Sequence, residues 1–597
     1  MLTALAALTL TPVLSQALPA AVPTAVSEPT ALESVVLATS APQPGSADGQ
    51  TQAIELPVSQ PLDAPLAQPR FRSELRLAQA AGAAQQYAEV IEQQEVRPLP
   101  GQLDEIPVFN SNSPELIQTD GILLSTFPQD GMRTPGAHLN FPFQGRFDIF
   151  AHHIARGITP DDRRTLFLGV LVHNPGTQPV TLDILQGITY LSQEAPFRDL
   201  PTTVLNPNGT IYAGPGSRTT TDILRGQNQS QWPRQIVIPP GHVHLLMNVP
   251  IPLRQLTVPV NGTYPQGSII PKPPLNPATI VAAGIPDGAA GAANGAVAPL
   301  PVNRPLPSNG RTAMMYLSSN GPVHMASLAM FAPPAPGGAE RVPTLREWID
   351  LLKRGNLAGP RDIPPTDPQT YRYGRFYYGR VAGVARGSRW SALVTDGSDA
   401  NQLTIPQPGN AFSYVVSTVD RNTFGTGQIQ SAPMLARYPD TAFRAHGNYG
   451  IHYSVTLPLF NPTGAAQTVA LKLQTPLQDE GLKDGLRFRQ PPDSRIFFRG
   501  TVRLRYANQL GVRQTHYVHL VQRRGQEGDP LVKLTIPAGE RREVEVDLIY
   551  PPDATPPQVL TVQTINPFSI FEANTQSNPA QPLSREPLIP RAGAPEP

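Results

Sequence analysis

Two adjacent histidines, His152 and His153, lie in the apolar run FDIFAHHIAR, which also contains Asp148. Imidazole and carboxylate groups bind metal ions and transfer protons near neutral pH, so this run is a candidate site. If the run is a β-strand, however, successive side chains point to opposite faces of the sheet. We therefore expect His152 to share a face with Asp148. His153 should lie on the other face, so that the two rings cannot bind one metal ion.

A second histidine pair, His242 and His244, is better spaced for metal binding, because His-x-His on a strand places both imidazoles on one face. Metal sites of cupin-type barrels use this spacing, but they also need a carboxylate a few residues later. The residues that follow here are LLMN, which contain no carboxylate. The sequence therefore predicts no metal site, and we expect both histidines to be structural polar groups.

The other catalytic patterns are incomplete. Residues 161–164, DDRR, follow a proline and are expected to form a solvated turn rather than the paired carboxylates of a glycoside hydrolase. Residues 214–217, GPGS, superficially resemble a phosphate-binding loop, but the proline removes an amide donor and no helical pattern follows. The chain has 0 cysteines, which excludes thiol catalysis and Cys-ligated metals. We predict no catalytic residues and no cofactor.

A tyrosine-rich run, TYRYGRFYYGR, is the best candidate for ligand binding. Read as a strand, it places Tyr371, Tyr373 and Tyr377 on one side, with arginines on the other, and Arg389 and Trp390 follow nearby. Aromatic rings beside arginines can stack on sugars and bind hydroxyl or carboxylate groups. These five residues form a predicted glycan-binding face, and ordinary sheet packing is the alternative interpretation.

The composition limits the class of protein and its partners. The chain has 597 residues, 71 prolines and 48 glycines, which favours strands and turns over long helices. Its 46 basic and 45 acidic residues are spread along the sequence, so no basic groove for nucleic acid is expected. No stretch beyond the N-terminal run approaches the length of a membrane span, so the mature chain should contain no integral membrane segment.

An approximate internal repeat predicts the fold. Residues 166–184, LFLGVLVHNPGTQPVTLDI, and residues 455–473, VTLPLFNPTGAAQTVALKL, both read as strand, Asn-Pro turn and strand. Each is followed by an Ile-Pro-x-Gly turn into another alternating run, at residues 236–251 and 534–550. We predict a mainly β chain with two immunoglobulin-like or jelly-roll-like antiparallel β-sandwich halves. One large irregular β domain is the alternative.

A single short helix is predicted between the halves. Thr344 and Glu347 form a capping box, Trp348 lies on the apolar face, and Gly355 ends the helix. We expect this helix to dock between the two halves. Before it, residues 311–332 read as two strands around Asn320-Gly321.

The predicted organisation has ordered halves and disordered termini. The start of the chain is an apolar run with a small-residue cleavage pattern, which indicates export. Within the spacer, residues 73–94 are rich in helix formers and predict a marginal helix. The predicted segments are a signal peptide at 1–17, a low-complexity spacer at 18–95, a first half at 96–335, a helical connector at 336–370, a second half at 371–570 and a disordered tail at 571–597.

Three blocks of sequence carry a resemblance to a known family. PGQLDEIPVFNSNSPELIQTDGILLSTF, HLNFPFQGRFDIFAHHIAR and YYGRVAGVARGSRWSA resemble an exported cyanobacterial family known only as domain of unknown function 3370. The resemblance covers most of residues 96–570. It implies an envelope or extracellular location, in the periplasm, the outer envelope or the medium, and it implies no activity.

These observations predict a non-catalytic, exported structural or interaction protein of the bacterial cell envelope or extracellular matrix. Its expected partners are envelope polysaccharides or envelope proteins. The alternatives are a glycan-binding module and a hydrolase of envelope polymers.

Overall fold

The computed structural model describes the backbone of residues 35–36 and residues 87–254, 264–270, 305–482 and 484–566. The predicted signal peptide at 1–17, most of the spacer at 18–95 and the tail at 571–597 lie outside the described residues. Within them the chain is mainly β, so the predicted fold class is confirmed.

In the described residues, strands alternate with two α-helices and two 3-10 turns. The strands are β1 (Val35–Val36), β2 (Ala88–Gln93), β3 (Glu95–Arg97), β4 (Gln102–Leu103), β5 (Pro107–Ser111), β6 (Leu116–Ile117), β7 (Gly121–Ser125), β8 (Phe143–Arg156), β9 (Thr165–His173), β10 (Val180–Leu191), β11 (Thr203–Leu205), β12 (Gln235–Ile238), β13 (His242–Pro252), β14 (Ile269–Ile270), β15 (Ser308–Phe331), β16 (Pro334–Ala335), β17 (Ala339–Arg341), β18 (Ala382–Arg386), β19 (Arg389–Leu393), β20 (Leu403–Thr404), β21 (Ala411–Val416), β22 (Met434–Arg437), β23 (His452–Phe460), β24 (Gln467–Gln474), β25 (Gly485–Gln490), β26 (Ile496–Ala507), β27 (Arg513–Arg523), β28 (Pro530–Ile536), β29 (Arg541–Ile549) and β30 (Gln558–Thr564). The helices are α1 (Pro215–Leu224) and α2 (Leu345–Arg354), and the 3-10 turns are Pro135–Ala137 and Pro336–Gly338.

Two sandwiches make up the body of the protein. In sandwich 1, the sheet β13-β9-β15-β7 faces the sheet β12-β10-β15-β8-β5-β18-β22. In sandwich 2, the sheet β11-β27-β26-β29-β23-β19-β4 faces the sheet β28-β24-β30-β21-β3. Each pair of sheets encloses buried aliphatic and aromatic side chains, as period-2 strands require when one face of each sheet must leave water.

The two sandwiches exchange strands. Strands β4 and β11 precede α2 in the chain but pair in sandwich 2, and β18 and β22 follow α2 but pair in sandwich 1. The outer face of the β8 sheet contributes Phe150 and Met314 to the same hydrophobic cluster as the sandwich 2 core. The sandwiches are therefore joined by a continuous apolar core as well as by the chain.

The sequence repeat corresponds to a shared structure. In sandwich 1, β9 pairs with β13 and β10 pairs with β12, all antiparallel. In sandwich 2, β23 pairs with β29 and β24 pairs with β28 in the same way. The predicted strand–turn–strand units are confirmed, and each Asn-Pro turn lies against the Ile-Pro turn of its own half.

One buried asparagine joins the two turns in each half. Asn174 Nδ2 donates to the Ile238 carbonyl at 2.9 Å, and the Gly241 N–H donates to the Asn174 carbonyl at 2.9 Å. In the second half, Asn461 Nδ2 donates to the Ile536 carbonyl at 2.9 Å. A buried carbonyl without a partner is costly, so this contact fixes both turns.

The predicted helix is present as α2 and begins with the predicted capping box. The Glu347 N–H and the Thr344 side chain form the reciprocal cap, and Gly355 follows the last turn. Its docking position differs from the prediction. Trp348 is fully buried against the outer face of the β9 sheet, where a Cβ on Gly169 would lie 2.7 Å from its ring. This helix covers sandwich 1 rather than joining the halves.

Helix α1 occupies the junction, and the expectation that no helix follows the GPGS motif was wrong. It packs against β10 and β15 of sandwich 1 and against β26 and β29 of sandwich 2. Three consecutive threonines at 219–221 are buried in it, and a Cβ on Gly216 would lie 2.2 Å from Pro552 Cγ. Threonine-rich sequences have low helix propensity, so tertiary packing stabilises this helix.

Three other segments differ from their predicted structure. Residues 88–93 lie in the predicted marginal helix but form strand β2, because β25 supplies an antiparallel partner. Residues 308–331 form one strand that pairs on both sides of Asn320-Gly321 and passes from one sheet of sandwich 1 to the other. Residues 371–380 form no strand, since Gly374 and Gly379 have φ of 98° and 72°.

Candidate functional site

The adjacent histidines lie on opposite faces of β8, as predicted. His152 Nδ1 lies 2.8 Å from Thr312 Oγ1, on the face that meets sandwich 2. His153 Nε2 lies 2.9 Å from Ser111 Oγ, inside sandwich 1. Burial lowers the pKa of His153 to about 4, so this imidazole is neutral near pH 7. Each ring has a separate hydrogen-bonding role, and the two form no common site.

The second histidine pair also makes local contacts. His242 Nδ1 lies 2.9 Å from the Pro240 carbonyl, and burial lowers the pKa of His244 to about 4. Over the described ranges of the chain, no three His, Asp or Glu side chains come together to hold a metal ion. His242 and His244 are therefore residues of an ordinary strand, β13.

The five predicted ligand-binding residues are divided between two places. Trp390 is buried in the core, and its Nε1 donates to the Pro100 carbonyl at 2.9 Å. Arg389 Nη2 donates to Ser454 Oγ at 2.9 Å on the neighbouring strand. Tyr371, Tyr373 and Tyr377 lie together in the irregular segment before β18, and Tyr373 is 91% exposed. The structure therefore separates the tyrosines from Arg389 and Trp390.

The same irregular segment leads into a pocket of about 410 Å³ between the two sandwiches. Loops of both sandwiches form its walls, together with the end of β5. The lining residues are Asn110, Asn112, Tyr378, Gly379, Arg380, Val381, Val419, Asn422, Ala445, His446, Gly447, Asn448, Tyr449, Gln478, Ala554, Thr555 and Pro556. Its volume lies within the range of roughly 300–1,000 Å³ that is usual for small-molecule sites.

Two asparagine amides on one wall have unused hydrogen-bonding capacity. Asn110 and Asn112 are two residues apart at the end of β5, so their side chains point the same way. They are 4% and 3% exposed, and neither side-chain oxygen has a hydrogen-bond partner among the described residues. An unpartnered buried polar group costs roughly 1–3 kcal/mol, so folding alone does not explain these residues.

Aromatic and imidazole rings form another part of the pocket wall. The Tyr378 and His446 rings meet edge-on, with centroids 4.9 Å apart. Tyr378 accepts a hydrogen bond from Asn422 Nδ2 at 3.1 Å and donates its own to the Asp420 carbonyl. Burial, with Arg444 nearby, lowers the pKa of His446 to about 3. The His446 imidazole is therefore neutral near pH 7, and its Nδ1 lies 3.4 Å from the Asp420 carboxylate.

The charges at the base of the pocket compensate each other. The Arg380 guanidinium forms an ion pair with the Glu115 carboxylate. Tyr449 donates to the Ala554 carbonyl at 3.1 Å, and burial raises the pKa of this phenol to about 12. The pocket consequently presents amides, phenols and one paired arginine, and no lining residue is Asp or Glu.

Strained backbone is concentrated around the same pocket. Asn448 lines it with φ of 52°, and Ser417, Arg421 and Asp553, which have φ of 65° to 67°, lie within two residues of lining positions. Left-handed non-glycine residues cost on the order of 1–3 kcal/mol each and gather at functional sites. Asn448 Nδ2 donates to Ser417 Oγ at 2.9 Å, which connects two of these loops.

Some of the pocket residues belong to sequence blocks that were singled out above, although the pocket itself was not predicted. Tyr378 and Arg380 belong to the tyrosine-rich run, and Asn110 and Asn112 belong to the block PVFNSNSP. Asparagine is uncommon in strand interiors, so two of them at i and i+2 were a usable signal. The contribution of His446 and Asn448 comes from a loop that no local pattern identifies.

The chain resembles other known proteins only weakly outside its family. None of the helices in the described residues is long and apolar enough to cross a membrane. The comparison with curated proteins found no match. Three solved structures are similar only at TM-scores of 0.10 or below, which carry no argument about fold or function.

These structures are a coconut allergen, a bacterial decarboxylase and a plant globulin. Coconut allergen cocosin is 9% identical, with 77% of this chain and 93% of that chain covered and a TM-score of 0.10. A single-residue variant of the oxalate decarboxylase of B. subtilis is 8% identical, with 78% and 86% covered and a TM-score of 0.08. Procruciferin, the 11S globulin from Brassica napus, is 10% identical, with 80% and 92% covered and a TM-score of 0.09.

A family model matches residues 94–564, which include both sandwiches, the helix at their junction and every residue that lines the pocket. The chain belongs to the family described as "Protein of unknown function (DUF3370)".

Proposed function

We propose that this chain is an exported, non-catalytic binding protein of the bacterial cell envelope or extracellular matrix, and that its pocket holds a glycan. The observation that carries the proposal is the pair of buried side-chain oxygens of Asn110 and Asn112, which have no hydrogen-bond partner among the described residues and belong to residues of the pocket wall. Side-chain amides both donate and accept hydrogen bonds, and sugar hydroxyls do the same. A hydroxyl-rich ligand would donate hydrogen bonds to both of these oxygens.

The rest of the pocket supports a neutral sugar unit rather than an ionic group. Arg380 is already paired with Glu115, and His446 is neutral near pH 7. Tyr378 and Tyr449 offer apolar ring surface beside hydroxyl groups, a combination suited to sugar rings. An anion in the pocket would find no unpaired cation among the residues that line it.

Binding is favoured over hydrolysis by the residues of the wall. Glycoside hydrolysis uses two carboxyl groups that flank the scissile bond. No lining residue of this pocket is Asp or Glu, and the carboxylate of Glu115 at its base is held by Arg380. The site has groups that can orient a ligand. Its lining lacks the pair of carboxyl groups that would transfer protons in hydrolysis.

Replacing Asn110 with leucine tests the pocket. We expect Asn110→Leu to lower retention on peptidoglycan or exopolysaccharide from the producing cells by at least about tenfold, the equivalent of one or two hydrogen bonds. The thermal unfolding midpoint should stay the same or rise, because a buried group without a partner is removed. Retention is measured by polymer pull-down, and unfolding by circular dichroism.

The matched control is Asn401→Leu, which makes the same substitution at an exposed position outside the pocket. It should leave retention unchanged. If Asn110→Leu instead destabilises the fold and binds the polymers as the original chain does, the amide is structural and the pocket is not the site.

Export is tested separately by cell fractionation with N-terminal sequencing. We expect the protein in the envelope or medium fraction, with its N-terminus beginning near residue 18, because the apolar run ends in a small-residue cleavage pattern. A cytosolic protein with an intact N-terminus would contradict the proposed location.

A further inference from the structure

A row of aromatic rings connects the pocket to the protein surface. The Tyr378 ring, on the pocket wall, meets Phe376 edge-on at 5.1 Å between centroids. Phe376 in turn meets the ring of Tyr371 at 5.3 Å, in the exposed segment that precedes β18. The tyrosines predicted from the sequence therefore lie at the rim of the pocket rather than inside it.

Three exposed arginines surround this rim. The Arg421 guanidinium lies over the Tyr371 ring at 4.5 Å, and that of Arg375 lies over Tyr377 at 5.0 Å. Arg372 Nη1 donates to the Tyr371 carbonyl at 3.0 Å. None of the three forms an ion pair with a carboxylate in the part of the chain that the structure describes, whereas Arg380 is paired with Glu115.

The sequence explains this positive charge. Residues 368–395 contain five arginines and no Asp or Glu. Elsewhere in the fold, arginines such as Arg361 and Arg495 form close pairs with carboxylates. The rim therefore brings together three guanidinium groups that have no carboxylate of the described residues within ion-pair distance, at the mouth of a pocket whose own arginine is paired.

We propose that the rim, formed by Arg372, Arg375, Arg421 and the rings of Tyr371 and Tyr377, binds the acidic groups of a polysaccharide whose neutral unit enters the pocket. This inference rests on the proposed function and names its ligand class, an acidic polysaccharide bearing carboxylate or sulfate groups.

The geometry suits this chemistry. A guanidinium presents a planar fork of donors that matches carboxylate and sulfate oxygens. Stacking on the Tyr371 and Tyr377 rings holds two of these groups in place, so less side-chain entropy is lost when a ligand binds. The pocket itself is electrically compensated, so the charge of the polymer must be recognised at the rim.

The test uses the full chain and the acidic exopolysaccharide of the producing cells. The variant carries Arg372→Gln, Arg375→Gln and Arg421→Gln. The matched control carries Arg133→Gln, Arg163→Gln and Arg234→Gln, three exposed arginines outside the rim, and it changes the net charge by the same amount. Dissociation constants are measured at low and at moderate salt.

We expect the rim variant to bind the acidic polymer on the order of tenfold more weakly and to lose most of the salt dependence. The control variant should bind as the original chain does. Reduction of the polymer carboxylates to alcohols, or removal of its sulfates by solvolysis, should weaken binding of the original chain by a similar factor. The treatment that weakens binding identifies the acidic group of the polymer as a carboxylate or a sulfate.

Unchanged binding by the rim variant, or an equal loss in the control variant, overturns the inference. If that occurs while Asn110→Leu still lowers retention, the rim proposal fails and the pocket proposal stands. If the original chain is retained on no envelope polymer, both proposals fail.

Discussion

Lowering the pH from 7 to about 4.5 is expected to remove several kcal/mol from the free energy of unfolding. The cause is a set of imidazoles buried in neutral form. Burial lowers the pKa of four fully or almost fully buried histidines to about 4 or about 3, namely His138, His153, His446 and His519.

The sign follows from the two states. In the unfolded chain these imidazoles titrate near pH 6.5, so below that pH the unfolded state binds more protons than the folded state. The stability they contribute is complete above pH 6.5 and is lost as the pH falls towards the folded pKa values. A shift from 6.5 to about 4 corresponds to about 3 kcal/mol for each group.

Buried carboxyls with a raised pKa act in the opposite direction, and Asp148 is the one with a large shift. Burial raises the pKa of Asp148 to about 6, although Arg146 favours its charged form, so acid stabilises this site by about 3 kcal/mol. Four histidines outweigh it. The remaining loss is comparable with a total stability of about 5–15 kcal/mol, and unfolding should therefore precede full protonation.

Chemical denaturation followed by circular dichroism at about pH 7.5, 6.0, 5.0 and 4.5 measures this effect. The denaturation midpoint should fall steeply between about pH 6 and 4.5 and stay nearly constant between about pH 7 and 8. His153→Gln should reduce the slope, because one imidazole no longer titrates in the unfolded chain. Equal stability at both ends of the range would contradict the prediction.

The second large effect is expected from the asparagines that join the repeated turns. Asn461→Ala should lower the free energy of unfolding by about 2–4 kcal/mol, because it removes three or more hydrogen bonds, including the one to the Ile536 carbonyl. Asn174→Ala should have a similar effect, since its amide donates to the Gln178 and Ile238 carbonyls and accepts from Gly176.

A matched control separates the turn contact from burial. Asn508 also accepts backbone N–H groups in a turn, at 2.9 and 3.0 Å, but that turn is exposed. Asn508→Ala should cost less than about 1 kcal/mol, because water replaces the lost partner. Similar losses for all three variants would show that the buried contact between the turns is not what stabilises the halves.

The amino-acid sequence by itself determined the parts of the structure that rest on local physics. Period-2 alternation and Asn-Pro turns predicted the repeated strands, and a capping box with an apolar face predicted α2. Strand geometry also predicted that His152 and His153 lie apart. Each of these patterns spans only a few residues. Backbone periodicity and turn chemistry act over that distance, so the pattern can be read from the sequence.

Other features were decided only by tertiary structure. Helix α1 forms from a threonine-rich segment because both sandwiches bury it, and β2 forms because β25 is available as a partner. The exchange of strands between the sandwiches also depends on which partner strands the tertiary structure makes available. Local propensity is weaker than these burial and pairing energies, so it predicts neither the helix nor the strand.

The candidate site shows the same division. The sequence indicated the tyrosine-rich run, and its residues do lie at the rim and on the wall of the pocket. The pocket itself combines Asn110 of one sandwich with His446 and Asn448 from a loop far away along the chain. Such a convergence depends on how two sheets pack, and no spacing along the chain encodes it.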